Sequence, residues 1–190
     1  MRTRLPQLVL IGSALVGSWL GMQAVHESGH ALTAWLTGGR VARVVLHPLT
    51  ISRTDLAANP RPLAVVWAGP LVGALAPVAL WAGAAGLRLG AAFLLRFFAG
   101  FCLVANGAYV GAGSLGRVGD AGEMLRHGSP EWLLCLFGAA AAGAGLWLWH
   151  GQGRHFGLGP ARGAVSRGAA WAALAACLGL LALALALGGE

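Results

Sequence analysis

The chain has 190 residues, of which 57% are hydrophobic and only 10% are charged, and its mean hydropathy is +0.72. Soluble domains usually carry about 25% charged residues, so a water-soluble fold of this composition would lack polar surface to cover itself. The formal net charge is +7, and all 13 basic residues are arginines. These cluster in short polar segments between apolar runs, as residues that meet lipid headgroups do. No basic patch interleaved with aromatic residues occurs outside the loops, so the sequence predicts a membrane protein that does not bind nucleic acid.

Five apolar runs are long enough to cross a bilayer, which takes about 20 residues. They predict membrane helices over Leu8–Leu36, Leu63–Leu87, Ala91–Leu115, Glu131–Trp149 and Ala169–Leu187. The first run resembles a secretory signal at its start, but it is longer than the usual core of about 7–15 residues, so we expect an uncleaved helix. The sequence thus predicts an all-α polytopic membrane protein. We expect residues 1–190 to form a single membrane-embedded domain, with a core over 8–127 and additional helices over 131–149 and 169–187.

The segment after the first run has a different pattern. Residues Arg40–Leu46 and Leu49–Arg53 are rich in β-branched side chains and alternate in polarity, with a Pro-containing break between them. This pattern predicts a small β-hairpin at the membrane surface. Two strands alone are marginally stable in water, so the hairpin must lean on the helices or on a bound partner. A polar loop is expected from Asp55 to Pro62.

The first apolar run contains the motif His26-Glu27-Ser28-Gly29-His30. Histidines four residues apart lie on one face of a helix, so both imidazoles can reach one metal ion. Glu27 points beside the metal, where it can take a proton from a water molecule. Ionisable groups in a membrane span are costly and are functional by default. The alternative is a pair of hydrogen-bonded core histidines with a glutamate that reaches toward the interface.

A catalytic zinc ion usually has three protein ligands and an open position for water. If the first three spans cross the membrane alternately, the ends of the first and third spans emerge on the same side. Asp120, which follows the third span, is then the best-placed carboxylate. Other side chains on that side are the rivals Glu123 and His127 and the more solvated Asp55 and Glu131. His26 lies roughly ten residues, or about 15 Å, from the end of its run, so the metal is expected inside the membrane near one face.

These residues resemble the site-2-protease family of intramembrane zinc metalloproteases, in particular its short, B-like branch. The likeness covers about the first two thirds of the chain and is carried by Val25–Leu32 with Leu36–Val41, Val44–Pro48 with Thr50–Thr54, Ala68–Gly73 and Gly119–Ala121. It implies zinc on His26, His30 and Asp120, Glu27 as general base, and hydrolysis of a peptide bond in or beside a membrane-spanning substrate. The family commonly carries Asn, Pro and then Asp-Gly in the helix with the third ligand. Here Asn106, a candidate substrate contact, lies far upstream, no Pro follows it before Asp120, and the sequence reads Asp-Ala-Gly.

The resemblance also implies partners and a location. The partners are a membrane-protein substrate and the lipid bilayer, and the location is the bacterial cytoplasmic membrane with the site open toward the cytosol. One alternative is a metal-binding membrane protein of the same fold that binds protein clients without cutting them. A transporter or channel is disfavoured, because the second, fourth and fifth spans offer almost no ionisable groups. The arginines divide almost evenly between the two sides, so they do not predict orientation, and the sequence predicts no oligomeric state.

Overall fold

The structure, a computed structural model, describes residues 4–188. In chain order its elements are α1 (Leu5–Leu36), β1 (Arg40–Val45), β2 (Arg53–Ala58), α2 (Pro62–Gly86), α3 (Ala92–Gly116), α4 (Gly119–Arg126), α5 (Glu131–Trp149) and α6 (Arg167–Leu187). Two short 3₁₀ segments, Gln152–Phe156 and Gly159–Ala161, connect α5 to α6. Within the described part of the chain, all helices except α4 are long and apolar enough to cross a membrane. The chain is a multi-pass integral membrane protein, and the fold class expected from the sequence is confirmed.

The helices pack through small residues. α2 and α6 pack against α1, and α5 packs against α3. At the α3–α5 contact, a Cβ atom added to Gly107 or to Gly138 would lie 2.8 Å from the carbonyl oxygen of the other residue. Only glycine permits this approach. In lipid, where apolar burial does not drive helix association, such close backbone contact supplies the packing energy.

The small-residue face of α1 lies against α6. A Cβ atom added to Gly17 would lie 3.4 Å from Cys177 Cβ of α6, and one added to Gly21 would lie 3.1 Å from the ring of Phe98 on α3 and 3.4 Å from Leu180 of α6. α1 therefore presents one face to α6 and the other to the polar interior of the bundle.

The hairpin follows α1 as predicted, but its second strand is displaced along the chain. The predicted strand Leu49–Arg53 is a turn up to Ser52, and β2 instead occupies the start of the segment expected to be a polar loop. That part of the prediction was wrong, because His47 Nδ1 accepts hydrogen bonds of 3.1 Å from the backbone N–H groups of Leu49 and Thr50. Such local side-chain bonding folds the backbone away from a ladder, and an alternating pattern does not reveal it.

The turn of the hairpin is anchored on α1. The side-chain oxygen of Gln23 accepts hydrogen bonds from the backbone N–H of Ser52 at 2.7 Å and from its hydroxyl at 2.8 Å. The indole of Trp19 donates to the carbonyl of Pro48 at 3.0 Å. Trp19 precedes the end of α1 by 17 residues, or about 25 Å of helix. The hairpin therefore runs back along α1, which provides the support that two strands need.

Candidate metal centre

Three side chains predicted as metal ligands lie together where α1 meets α4. His26 Nε2 is 2.9 Å from Asp120 Oδ2, His30 Nε2 is 3.2 Å from the same oxygen, and the two Nε2 atoms are 3.1 Å apart. A tetrahedral zinc site with bonds of about 2.0–2.1 Å has ligand atoms about 3.3 Å apart. The separations between the three donor atoms are therefore close to those of a zinc site.

The second nitrogen of each imidazole sets its orientation. His26 Nδ1 is 2.7 Å from Asn106 Oδ1, and His30 Nδ1 is 2.8 Å from the backbone oxygen of Val65. The Asn106 amide is itself oriented, because its nitrogen donates to the carbonyl of Cys102 at 2.9 Å. Both Nδ1 atoms thus face oxygens that only accept, so both must carry a proton. The two Nε2 atoms then present lone pairs, as metal-binding histidines do.

The centre of the cluster requires a positive charge. Burial raises the pKa of the Asp120 carboxyl, but a proton on the imidazoles of His26 and His30 would stabilise the carboxylate, outweigh burial and hold the pKa well below its ordinary value. Without a cation there, the carboxylate would meet two imidazole lone pairs at hydrogen-bond distance. Three acceptors repel one another unless a proton or a metal ion lies between them. Two imidazole nitrogens and one carboxylate oxygen form a donor set that suits zinc.

Glu27 lies next to this cluster but does not belong to it. Its side chain is buried, and its Oε2 atom accepts a hydrogen bond of 2.7 Å from the hydroxyl of Thr54 on β2. The three residues whose donor atoms converge are His26, His30 and Asp120. A carboxylate beside the metal position can move a proton without occupying a coordination position.

A cavity of about 980 Å³ surrounds these groups. Its end toward the middle of α1 is lined by apolar side chains that include Trp19, Met22 and the exposed Ile51. Its other end is lined by Asn59, ahead of α2, and by Glu123 and His127 in and after α4. Polar side chains thus continue from the cluster to the end of the bundle where α1 ends, a route by which water can reach it. Of the two strands, β2 contributes to the wall, through Arg53 to Leu56.

The rival ligands do not join the donor atoms of the cluster. Glu123 pairs with Arg126, and its other oxygen is 3.8 Å from His127 Nε2. Asp55 is 3.3 Å from Arg53 Nε and 3.7 Å from Arg43 Nε. Glu131 begins α5 and is exposed. Among the predicted third ligands, Asp120 is the residue that the fold brings to the two histidines.

Several contacts of the site were not predicted from the sequence. Asn106 was predicted as a substrate contact. It lines the cavity, but it is only 1% exposed and its side chain bonds His26, so the substrate role stays a prediction. Tyr109, the chain's one tyrosine, packs edge-on against His26, and its hydroxyl accepts from the backbone N–H of Asp120 at 3.3 Å. Asn106 and Tyr109 are three residues apart, a spacing that places both side chains on one face of a helix. This spacing is the feature of the sequence from which their shared place in the site could have been predicted.

Substitution of Asp120 by alanine is expected to weaken zinc binding by at least about 100-fold, since loss of an outer-shell partner alone costs about 10–100-fold. The measurement is zinc per chain, in the purified full-length protein, during titration with a competing chelator. Glu123→Ala is the matched control, because it removes a carboxylate of the same short helix that pairs with Arg126 and not with the histidines. Zinc loss on Glu123→Ala with retention on Asp120→Ala would make Glu123 the ligand.

The fold and the site together define a class of protein. It is a polytopic membrane protein whose first helix carries a His-Glu-x-x-His motif, and both histidines of the motif lie close to an aspartate inside the bundle. The sequence model of the peptidase M50B-like family matches residues 13–112. The chain belongs to this family, and the resemblance read from the sequence is confirmed. The matched segment contains the motif, the hairpin and Asn106, and it ends before Asp120. Comparisons with curated proteins and with solved structures gave no significant match.

Proposed function

We propose that the chain is an intramembrane zinc metallopeptidase that hydrolyses a peptide bond in or near a membrane-spanning segment of its substrate. The observation that carries the proposal is the convergence of three acceptor atoms, from His26, His30 and Asp120, beside the Glu27 carboxylate. The surrounding cavity has room for an extended peptide segment. Membership of the peptidase M50B-like family supports the same reaction class.

His26, His30 and Asp120 would hold the zinc ion. When bound, zinc supplies Lewis-acid polarisation of the substrate carbonyl and a lowered pKa for water. Glu27 takes the proton of the attacking water and delivers it to the leaving amine. Asn106 and Val65 keep the two Nε2 lone pairs directed at the metal position. Hydrolysis requires that water enter the cavity, and the polar side chains at the end of the cavity where α1 ends provide the route for that water.

The substrate segment would enter beside β2. The sheet has two strands within residues 4–188, so one edge of β2 has no strand partner there, and Arg53 to Leu56 line the cavity. An extended peptide can add to such an edge through main-chain hydrogen bonds. A substrate helix must unwind first, and in lipid its freed backbone groups are costly. We therefore expect preferred substrates to carry helix-breaking residues near the cut.

The proposal extends to the whole chain and its location. We propose that residues 1–190 act as one membrane-embedded domain in which α5 and α6 support the core through their contacts with α3 and α1. The bacterial cytoplasmic membrane remains the proposed location. It is the location that the family resemblance implies.

The test is cleavage of a model transmembrane substrate by the purified protein in lipid vesicles. We expect zinc-dependent production of two fragments, abolished by a zinc chelator and restored by added zinc, with the cut site read by mass spectrometry. The substrate carries glycine or proline near the middle of its apolar segment, and a version with leucine there is the control. Zinc-loaded protein that binds the substrate but leaves it intact would refute the peptidase function and support client binding without cleavage.

A further inference from the structure

We infer that Thr54 is a positioning residue that fixes the Glu27 carboxylate, so that the strand lining the cavity also holds the general base. The inference rests on the function proposed above for Glu27. It assigns to the hairpin a role in the chemical step, in addition to any role in substrate binding.

The contact between the two side chains is short and partly buried. Thr54 Oγ1 is 2.7 Å from Glu27 Oε2 and 3.3 Å from the backbone oxygen of Glu27. A hydroxyl has one hydrogen, and the shorter bond to a carboxylate is the stronger of the two. Thr54 lies inside β2, opposite Val44 of β1, so its backbone is held by the ladder. The donor is therefore a group with little freedom of its own.

The carboxylate needs such a partner. Glu27 borders a cavity of about 980 Å³, where a flexible glutamate side chain has space for other rotamers. A general base must lie within about 2.6–3.2 Å of the proton that it takes. With Oε2 held by Thr54, Oε1 remains available for the attacking water. Misplacement by about 1 Å can cost roughly 100-fold in rate, so loss of the hydroxyl should reduce kcat.

The hairpin does not depend on Thr54 for attachment to α1. Its turn is already held by the bonds from Ser52 to Gln23 and from Trp19 to Pro48. Ser52 therefore provides a matched control. Its hydroxyl also links the hairpin to α1, at 2.8 Å, but its partner is Gln23 and not the base. A purely structural role for Thr54 predicts similar effects for the two positions, whereas a positioning role predicts different ones.

The experiment compares Thr54→Val, Thr54→Ser and Ser52→Ala in the zinc-loaded full-length chain in lipid discs. Thr54→Val is expected to keep its zinc and its KM while kcat falls about 10–100-fold, and Thr54→Ser is expected to restore most of kcat. Ser52→Ala is expected to affect KM or thermal stability more than kcat. A second readout does not require turnover: the carboxylate infrared band of Glu27, assigned by its loss in Glu27→Gln, should shift in Thr54→Val and not in Ser52→Ala. If Thr54→Val fails to fold, Thr54→Ala is used in its place.

An unshifted infrared band in the Thr54 variant overturns the inference whatever the turnover. So does an equal loss of kcat in the Thr54 and Ser52 variants, or a Thr54→Ser variant that stays as slow as Thr54→Val. A shifted band in a zinc-loaded protein that cleaves no substrate supports the placement of Glu27 by Thr54 and overturns the proposed peptidase function. The two failures are therefore distinguishable.

Discussion

Replacement of Glu27 by glutamine is expected to abolish peptide hydrolysis while zinc remains bound. The amide has nearly the same shape and can still accept the Thr54 hydroxyl, but it cannot take a proton from water. General acid–base catalysis contributes about 10²–10⁴-fold, and we expect a loss of that size in kcat. Zinc content should be unchanged, because the converging donor atoms come from His26, His30 and Asp120. The measurement pairs substrate cleavage with zinc analysis on one preparation.

The matched control for this prediction is His30→Ala. It removes a donor atom from the cluster, so zinc and turnover should be lost together, in contrast to Glu27→Gln. Two results would contradict the assignment. Turnover retained in Glu27→Gln would refute the general-base role, and zinc lost in Glu27→Gln would make Glu27 a ligand.

The helical architecture was predictable because it is encoded locally. In a bilayer each span needs a continuous apolar run, so length and hydropathy predict the helices, and each predicted bound is within three residues of the observed one. The register of the hairpin was not predictable in this way. The side chain of His47 folds the turn through local hydrogen bonds that an alternating pattern does not reveal, and the bonds from Ser52 to Gln23 depend on α1 lying beside the turn.

The candidate site, like the fold, combines relations that are encoded locally in the sequence with contacts that depend on tertiary structure. His26, Glu27 and His30 are close in sequence, and helical spacing is sufficient to predict their relation to a metal. Asp120 required an argument about which span ends share a side of the membrane, since it is 94 residues from His26. The partners of the imidazoles and of Glu27 leave weaker signals. Val65 contributes a backbone carbonyl, which any residue has, and Thr54 meets Glu27 across 27 positions.

Gly69 is the position where one added carbon atom is expected to have the largest effect on the metal centre. A Cβ atom on Gly69 of α2 would lie 2.2 Å from His30 Nε2 and 2.8 Å from His26 Nε2. A zinc ion lies about 2.0–2.1 Å from its histidine nitrogens, so the added methyl group would compete for the same space. Gly69→Ala should therefore displace both imidazoles and weaken zinc binding by at least the 10–100-fold that disturbing ligand orientation costs. Cleavage should be lost with the zinc.

Gly83→Ala separates this steric effect from the general consequences of replacing glycine in α2. A Cβ atom at Gly83 meets no atom within 4 Å, so this variant should keep its zinc and its turnover. Alanine is also favoured over glycine in a helix by about 1 kcal/mol, so both substitutions should tend to stabilise α2 itself. Loss of zinc in Gly69→Ala alone, with thermal stability retained in both variants, would locate the defect at the two imidazoles. Zinc binding by Gly69→Ala at wild-type affinity would instead mean that α2 does not form the wall of the metal position.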